Sequence, residues 1–272
     1  MVENSIMYNF NLINADTDSI MVAKPDGQPF SPEEQKNLIN ELNSLFPEHI
    51  SWEDDGYYKR CIVLKAKNYI LLPENQIKYK TRGSSIKTST KELAMKELMT
   101  EVIEAMVYNR LDTIPSIYHK YVIEATNPTD IMRWSSKKNA SEAVLNCMGY
   151  EKYTPEQLKK KEIRPNETNI WDAIKMEELV QAGDRFFLYP TILGSTSTFR
   201  TFKNGKTKET KIYKYGFRQA KAWNKEDHDV EQLLKRVYDT LSIFETVLDI
   251  DEYLDYSKVK NKDELKKLLT IE

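Results

Sequence analysis

The sequence is poor in the residues that build disulfide frameworks and soft-metal sites. Only two cysteines and three histidines stand among its 272 residues, and none of them is closely spaced with another. A disulfide-rich scaffold and a zinc site of the usual spacing are therefore excluded. Cys61 lies in a strand-like run and Cys147 stands beside Met148. We expect both cysteines to be packing residues of a protein from a reducing compartment.

Long apolar runs, glycine-rich phosphate loops and internal repeats are also missing. No segment approaches the roughly 20 consecutive apolar residues that a membrane-spanning helix needs. The start, Met-Val-Glu-Asn, has neither the basic part nor the apolar part of a secretory signal. We therefore expect a cytoplasmic protein with no membrane partner.

An excess of positive charge is absent from the chain as a whole. Lysine and arginine number 40 against 42 acidic residues, which gives a formal net charge of -2. This balance excludes a uniformly basic nucleic-acid binder, so any such function must depend on local charge. The composition, 40% hydrophobic and 30% charged, is that of a folded globular protein with one large domain or two modest ones.

The stretch 9–22 is the one place where the residue types and their spacing indicate a catalytic or metal-binding site. Apolar residues on both sides of Asp16-Thr17-Asp18-Ser19 predict a β-hairpin with two carboxylates at its tip. Side chains two apart on extended backbone share a face, so Asp16 and Asp18 can reach one Mg²⁺ ion, which prefers carboxylate oxygen. The same four residues are also good turn formers. The stretch alone leaves both interpretations open.

A second cluster, 59–87, is basic. It contains eight basic residues and a single acid, Glu74. A solvated surface is the ordinary explanation of a charge run. Here, however, the basic residues alternate with strand residues and tyrosines, which is typical of the wall of a nucleic-acid groove. We expect Lys65, Lys67 and Tyr69 to lie on one face of a strand.

Hydrophobic periodicity predicts an α+β fold. Its first part is an antiparallel sheet with helices on one face, and its second part is mainly helical with a small hairpin. Ser31 is expected to cap a helix that runs to about Phe46, and 59–72 is expected to add two strands to the sheet of the acidic hairpin. Further predictions are helices over 90–111, 115–124 and 226–248, a strand over 183–190, a hairpin over 196–215 and a short helix or frayed tail over 258–269.

Asp16-Thr17-Asp18-Ser19 resembles motif C of family B DNA polymerases, usually Tyr-Gly-Asp-Thr-Asp-Ser, with Asn14-Ala15 in place of Tyr-Gly. The resemblance implies that Asp18 is the principal Mg²⁺ ligand in a two-metal site. It further implies that Asp16 supports the hairpin and the second coordination shell, and that Thr17 contacts the incoming nucleotide.

The basic cluster continues this resemblance. Residues 65–69 are similar to the Lys-Lys-Arg-Tyr element that holds the primer-template in the same family; Lys67 and Tyr69 match its second Lys and its Tyr, and Asn68 stands where Arg is usual. Residues 77–87 are similar to the segment that binds duplex phosphates, where Gly83 offers a backbone that can approach a phosphate closely. An ordinary polar loop is the alternative. The implied DNA-binding residues are Lys65, Lys67, Tyr69, Lys78, Lys80, Arg82, Gly83, Ser84 and Lys87.

The resemblance implies a distal palm over residues 1–92 and a thumb over residues 93–272. The exonuclease, motif A and fingers have no counterpart before Asn9, so we expect an N-terminal polymerase polypeptide as partner, in a split enzyme of bacteriophage type acting in the host cytoplasm. Primer-template DNA, dNTP and Mg²⁺ are the implied ligands. The alternative is a non-catalytic DNA-binding or processivity module with a palm-like fold. A cyclase or a reverse transcriptase is a weaker alternative, because those enzymes lack the Lys-rich strand and the thumb.

Overall fold

The structure of the protein is a computed structural model that describes residues 10–84, 86, 91–177, 179–192, 196–201, 207–212, 216–225 and 227–255. The chain forms two compact units. The first comprises Met1–Thr88, Ile103–Arg110 and Ile243–Asp249, and the second comprises Ser89–Val102, Leu111–Ser242 and Ile250–Glu272. Both units mix helices with antiparallel strands, which confirms the predicted α+β class. The predicted boundary between residues 92 and 93 stays a prediction.

The first unit contains two antiparallel sheets. Strands β1 (Asn11–Asp16) and β2 (Ser19–Ala23) form a hairpin, and β3 (Tyr58–Lys65), β4 (Asn68–Pro73) and β5 (Lys80–Arg82) form a sheet in that order. Within the part of the chain that the structure describes, the backbone of the hairpin pairs only with itself. The prediction that the hairpin and β3–β4 belong to one sheet is therefore wrong.

Helix α1 (Pro32–Ser44) starts where the sequence predicts. The Ser31 hydroxyl accepts a hydrogen bond from the Glu34 N–H at 3.2 Å, and the Glu34 carboxylate accepts one from the Ser31 N–H at 2.7 Å. This reciprocal pair is a capping box, and Pro32 at the first helical position fits because its missing N–H would have no helical partner. On the inner face of the helix, the side chain of Leu42 is buried.

Helix α2 (Leu93–Val107) ends in the first unit, where it is joined to β3. The Arg60 guanidinium donates to the carbonyl oxygens of Met106 at 2.9 Å and of Val107 at 2.8 Å. These carbonyls have no partner within the helix, so the cation stabilises its end. Further along β3, the hydroxyl of Thr246 donates to the carbonyl oxygen of Leu64 at 2.8 Å. This hydrogen bond links segment 243–249 to the same strand.

The second unit combines helices with a three-stranded sheet. Its strands β6 (Ser136–Asn139), β7 (Arg185–Thr191) and β10 (Gly216–Gln219) lie in the order β10-β7-β6. Strand β7 begins two residues after the start of the predicted strand over 183–190 and ends one residue after its end, and its neighbours were not predicted. The core under this sheet includes Trp171, Ile174 and Leu188. The helices are α3 (Ile114–Thr126), α4 (Glu142–Leu145), α5 (Pro155–Lys160), α6 (Pro165–Ile174), α7 (Val230–Leu241) and α8 (Ile250–Leu254).

Strands β8 (Thr196–Thr201) and β9 (Thr207–Ile212) pair antiparallel and confirm the predicted hairpin. The segment 202–206 that joins these strands and the predicted terminal segment 258–269 lie outside the described residues. Among the helices of the described ranges, none combines the length and the apolar character that crossing a bilayer would require.

Candidate functional site

The acidic hairpin carries its carboxylates at a two-residue turn. Asp16 ends β1, Ser19 begins β2 opposite it, and Thr17 and Asp18 connect them. The Asp16 carboxylate accepts hydrogen bonds from the Thr17 N–H at 2.8 Å and from the Thr17 hydroxyl at 3.2 Å. Asp16 therefore stabilises the turn, as the turn interpretation predicts. Asp18 lies in the turn rather than on extended backbone, so the argument that the two carboxylates share a strand face does not hold.

The basic residues meet at a second two-residue turn. Strand β3 ends at Lys65, β4 begins at Asn68 opposite it, and Lys67 adopts a left-handed backbone conformation with φ 61°. The prediction that Lys65, Lys67 and Tyr69 lie on one strand face is therefore wrong. The side chain of Asn68 explains the turn: it is buried, and its amide donates to the carbonyl oxygen of Ala66 at 2.9 Å.

The two turns touch. The Lys67 ammonium lies 3.1 Å from a carboxylate oxygen of Asp16, and the two side chains are 73% and 33% exposed. The hydrogen bond from the Thr17 N–H, followed by the one from Lys67, lowers the pKa of Asp16 below its ordinary value. An exposed ion pair of this kind adds little stability. Its significance is positional, because it brings together the acidic tip and the basic turn.

The acidic hairpin lies against the face of the three-stranded sheet that carries Tyr69 and Arg82. The sulfur atoms of Met21 on β2 and Cys61 on β3 are 4.0 Å apart, so the hairpin covers the Cys61 face. Tyr69 lies two residues from the cross-strand partner of Cys61, and Arg82 is the cross-strand partner of Tyr69. Because cross-strand partners and alternate residues share a face, Tyr69 and Arg82 point to the side of the acidic hairpin.

One residue of this surface was missed by the sequence reasoning. Tyr58 opens β3, and the Lys80 ammonium lies 5.9 Å from the centroid of its ring. Burial raises the pKa of Tyr58, which keeps the phenol neutral. We call Tyr58, Tyr69, Lys80 and Arg82 the basic-aromatic surface. The sequence signal that could have identified Tyr58 is the tyrosine pair that directly precedes the basic run. Rings and cations side by side suit stacked bases and phosphates.

Gly83 supports the basic turn through close backbone contact. Its φ is 108°, and a Cβ atom there would lie 2.2 Å from the side-chain oxygen of Asn68 and 2.6 Å from the carbonyl oxygen of Lys67. Any side chain would collide with these atoms. The structure thus explains the glycine by its approach to the turn, while the predicted phosphate contact of Gly83 stays a prediction. Ser84 follows and is exposed.

The remaining predicted site residues fall in different places. Lys65 and Lys78 are exposed, and Lys87 lies outside the described residues. No group of three or more Asp, Glu, Cys or His side chains able to hold a metal occurs in the described part of the chain. Exposed Asp18 is chemically suited to ligate Mg²⁺, which keeps several of its waters, but the protein oxygens seen here do not complete a site.

No protein-family model and no curated protein matches this chain. The functional argument therefore depends on the residues and the geometry described above.

Proposed function

We propose that the chain is the distal palm and thumb part of a family B DNA polymerase, working as the small subunit of a split enzyme. The observation that carries the proposal is the contact between Asp16 and Lys67. It joins the two segments that resemble polymerase motifs, although a helix and two strands separate them in sequence. Such segments are expected to meet if they serve one active site.

In the proposed reaction, a primer 3′ hydroxyl loses its proton and attacks the α-phosphate of a nucleoside triphosphate, which forms a phosphodiester bond and breaks the bond to the β-phosphate, so that pyrophosphate leaves. Mg²⁺, when bound, neutralises developing charge and orients the phosphates. Asp18 is the exposed carboxylate that would ligate it, and Asp16 holds the turn in place through its bonds to Thr17 and Lys67. Thr17 is proposed to contact the incoming nucleotide from the same turn.

The basic turn and the basic-aromatic surface are proposed to hold the primer-template. Lys67 stands at the turn, and Tyr69 and Arg82 follow on the face of the acidic hairpin. Cations and phenols at these positions suit phosphate and minor-groove contacts, which carry little sequence information. We therefore expect DNA binding with weak sequence preference and a strong dependence on salt.

A partner polypeptide is part of the proposal. Two-metal catalysis clamps both the attacking and the leaving oxygen, and this normally takes carboxylates from more than one motif. In the described residues, no third Asp, Glu, Cys or His side chain joins Asp16 and Asp18 in a group able to hold a metal. The partner is expected to carry the exonuclease, motif A and the fingers.

The substitution Asp18→Ala tests the catalytic role. In a complex reconstituted with the partner polypeptide, we expect it to abolish primer extension and to leave the Kd for primer-template DNA within about twofold. Asp26→Ala is the matched control, because Asp26 is another exposed turn aspartate and bonds only to the nearby Gln28 N–H in the described chain. Full extension by the Asp18→Ala complex would contradict the proposal.

The second candidate is a non-catalytic DNA-binding or processivity module. It is favoured by the involvement of Asp16 in an ion pair and by the incomplete ligand set in the described residues. For such a module, Asp18→Ala would change neither extension by the assembled polymerase nor DNA binding. The same experiment therefore separates the two functions.

A further inference from the structure

Lys138 lies on β6 and forms no ion pair among the residues that the structure describes. Its cross-strand partner on β7 is Phe186, and its ammonium lies 6.0 Å from the centroid of the Phe217 ring on β10. Lys138 is half-buried, and both rings pack against the core of the second unit. The ammonium therefore loses part of its hydration, and no carboxylate of the described residues pairs with it in return.

Two charged side chains of the second unit act on the Lys138 ammonium. The guanidinium of Arg236 on α7 forms an ion pair with Glu92, a buried residue directly before α2. Burial lowers the pKa of Lys138 and the Arg236 cation lowers it further, while the Glu92 carboxylate acts in the opposite direction. Desolvation and a neighbouring cation are the two means by which proteins activate a lysine amine as a nucleophile.

The surroundings of Glu92 hold more positive than negative charge. Lys91 is half-buried, forms no ion pair in the described part of the chain, and has its pKa lowered by burial. We call Lys91, Glu92, Lys138 and Arg236 the Lys138 cluster; it contains three basic side chains and a single carboxylate. In such a partly dehydrated place, a surplus of positive charge attracts an anionic reagent more strongly than an exposed lysine does.

We propose that Lys138 is an acylation site that accepts acyl groups from acyl phosphates, independently of the proposed polymerase function. The neutral amine attacks the carbonyl carbon of the acyl phosphate, and a C–N bond forms. The C–O bond to the phosphate breaks, inorganic phosphate leaves with the bonding electrons, and the proton that the amine loses goes to water. The product is an uncharged amide, so the modification removes a charge that has no partner in the described chain.

Acetyl phosphate is the probe for this proposal, and Lys137 is the internal control. Lys137 is the neighbour of Lys138 on β6, and it lies on the opposite face of the sheet with its cross-strand partner Phe187. The full chain is incubated with acetyl phosphate near neutral pH. A protease that cuts after glutamate then releases residues 125–142, which contain both lysines in one peptide. We expect mass spectrometry to show that Lys138 is acetylated at least about threefold faster than Lys137, because more of its amine is neutral.

Three comparisons test the cause of this preference. In urea, Lys137 and Lys138 should react at the same rate, because the difference comes from the fold. Excess inorganic phosphate should slow the acetylation of Lys138 and not that of Lys137, because it competes for the Lys138 cluster. Arg236→Gln should reduce the preference, whereas Lys235→Gln, which removes an exposed cation from the same helix, should not.

Equal rates for the two lysines in the folded wild type would overturn the proposal. A preference that persists in urea, or that excess phosphate leaves unchanged, would overturn it as well. So would an undiminished preference in Arg236→Gln, provided that thermal unfolding of this variant matches the wild type. The comparisons on the wild type need no substitution, so they decide the question even if Arg236→Gln does not fold.

Discussion

Gly83 is the residue whose replacement the basic turn should tolerate least. In Gly83→Ala, the new Cβ would meet the side chain of Asn68 and the carbonyl oxygen of Lys67 in a backbone conformation with φ 108°. We expect the free energy of unfolding to fall by about 2–4 kcal/mol, since strain and a displaced turn add together.

Gly27→Ala is the control for the Gly83 prediction. Gly27 also has a positive φ, 70°, but nothing lies within 4 Å of the position of its Cβ. This variant should lose only about 1 kcal/mol, the cost of the left-handed backbone. Denaturant unfolding of both variants measures the difference, and equal losses would contradict the role assigned to Gly83.

Asp16 should make stability depend on pH at the acidic end. Its pKa in the folded protein is lowered from 3.8 by the Thr17 N–H and by Lys67. A carboxyl of this kind stabilises the fold above its unfolded pKa, and the contribution is lost as the pH falls through the folded value. The stability difference between wild type and Asp16→Asn should therefore be present at pH 7 and shrink below about pH 4.

The contribution of Lys67 to this pKa can be isolated. In Lys67→Met, the Asp16 pKa should rise but stay below 3.8, because the larger contribution, the hydrogen bond from the Thr17 N–H, remains. NMR titration of the Asp16 carboxyl measures the shift. An unchanged pKa would show that the ion pair between the two turns is absent in solution.

At the scale of secondary structure elements, Arg60 links β3 to the end of α2. Arg60→Met removes its hydrogen bonds to the carbonyls of Met106 and Val107. We expect a loss of about 2 kcal/mol, because charged hydrogen bonds to partly buried helix-end carbonyls are among the stronger ones. Lys59→Met on the same strand, where the side chain is exposed, should stay within about 0.5 kcal/mol in the same unfolding assay. Equal losses would contradict the capping role.

The elements that sequence predicts well are those with local signals. The start of α1 is specified locally by Ser31, Pro32 and Glu34, because a capping box is formed by residues three apart. The turn at Lys67 has no such signal. It depends on Asn68 and on Gly83, which follows β5, and contacts between distant residues cannot be read from local patterns.

The same distinction explains the candidate site. The acidic turn was predictable, because Asp16 bonds to the neighbouring Thr17. The contribution of Tyr58 was not, because it depends on where β5 places Lys80. The ion pair between Asp16 and Lys67 could not be predicted from the sequence either, because neither segment contains a signal that identifies the other as its partner.

At the scale of the whole molecule, the near-neutral charge and the local basic cluster 59–87 lead to one prediction. The purified chain should bind primer-template DNA with an affinity that falls steeply as salt rises, yet it should not extend the primer. In the proposed split enzyme, the residues of this chain bind the DNA, whereas catalysis also needs carboxylates from the partner. Anisotropy and a gel-based extension assay measure the two properties on one sample. Extension by the chain alone would contradict the split-enzyme proposal.

The hydrogen bond between Thr246 and Leu64 has a consequence for biosynthesis. Residues 243–249 belong to the same compact unit as the first 88 residues, so this unit lacks one of its parts until residues 243–249 have left the ribosome. The two turns can form earlier during translation, but β3 receives its bond from Thr246 only after that residue has emerged. A nascent chain stalled before residue 243 should therefore be cleaved by proteases in its first unit more readily than the completed protein.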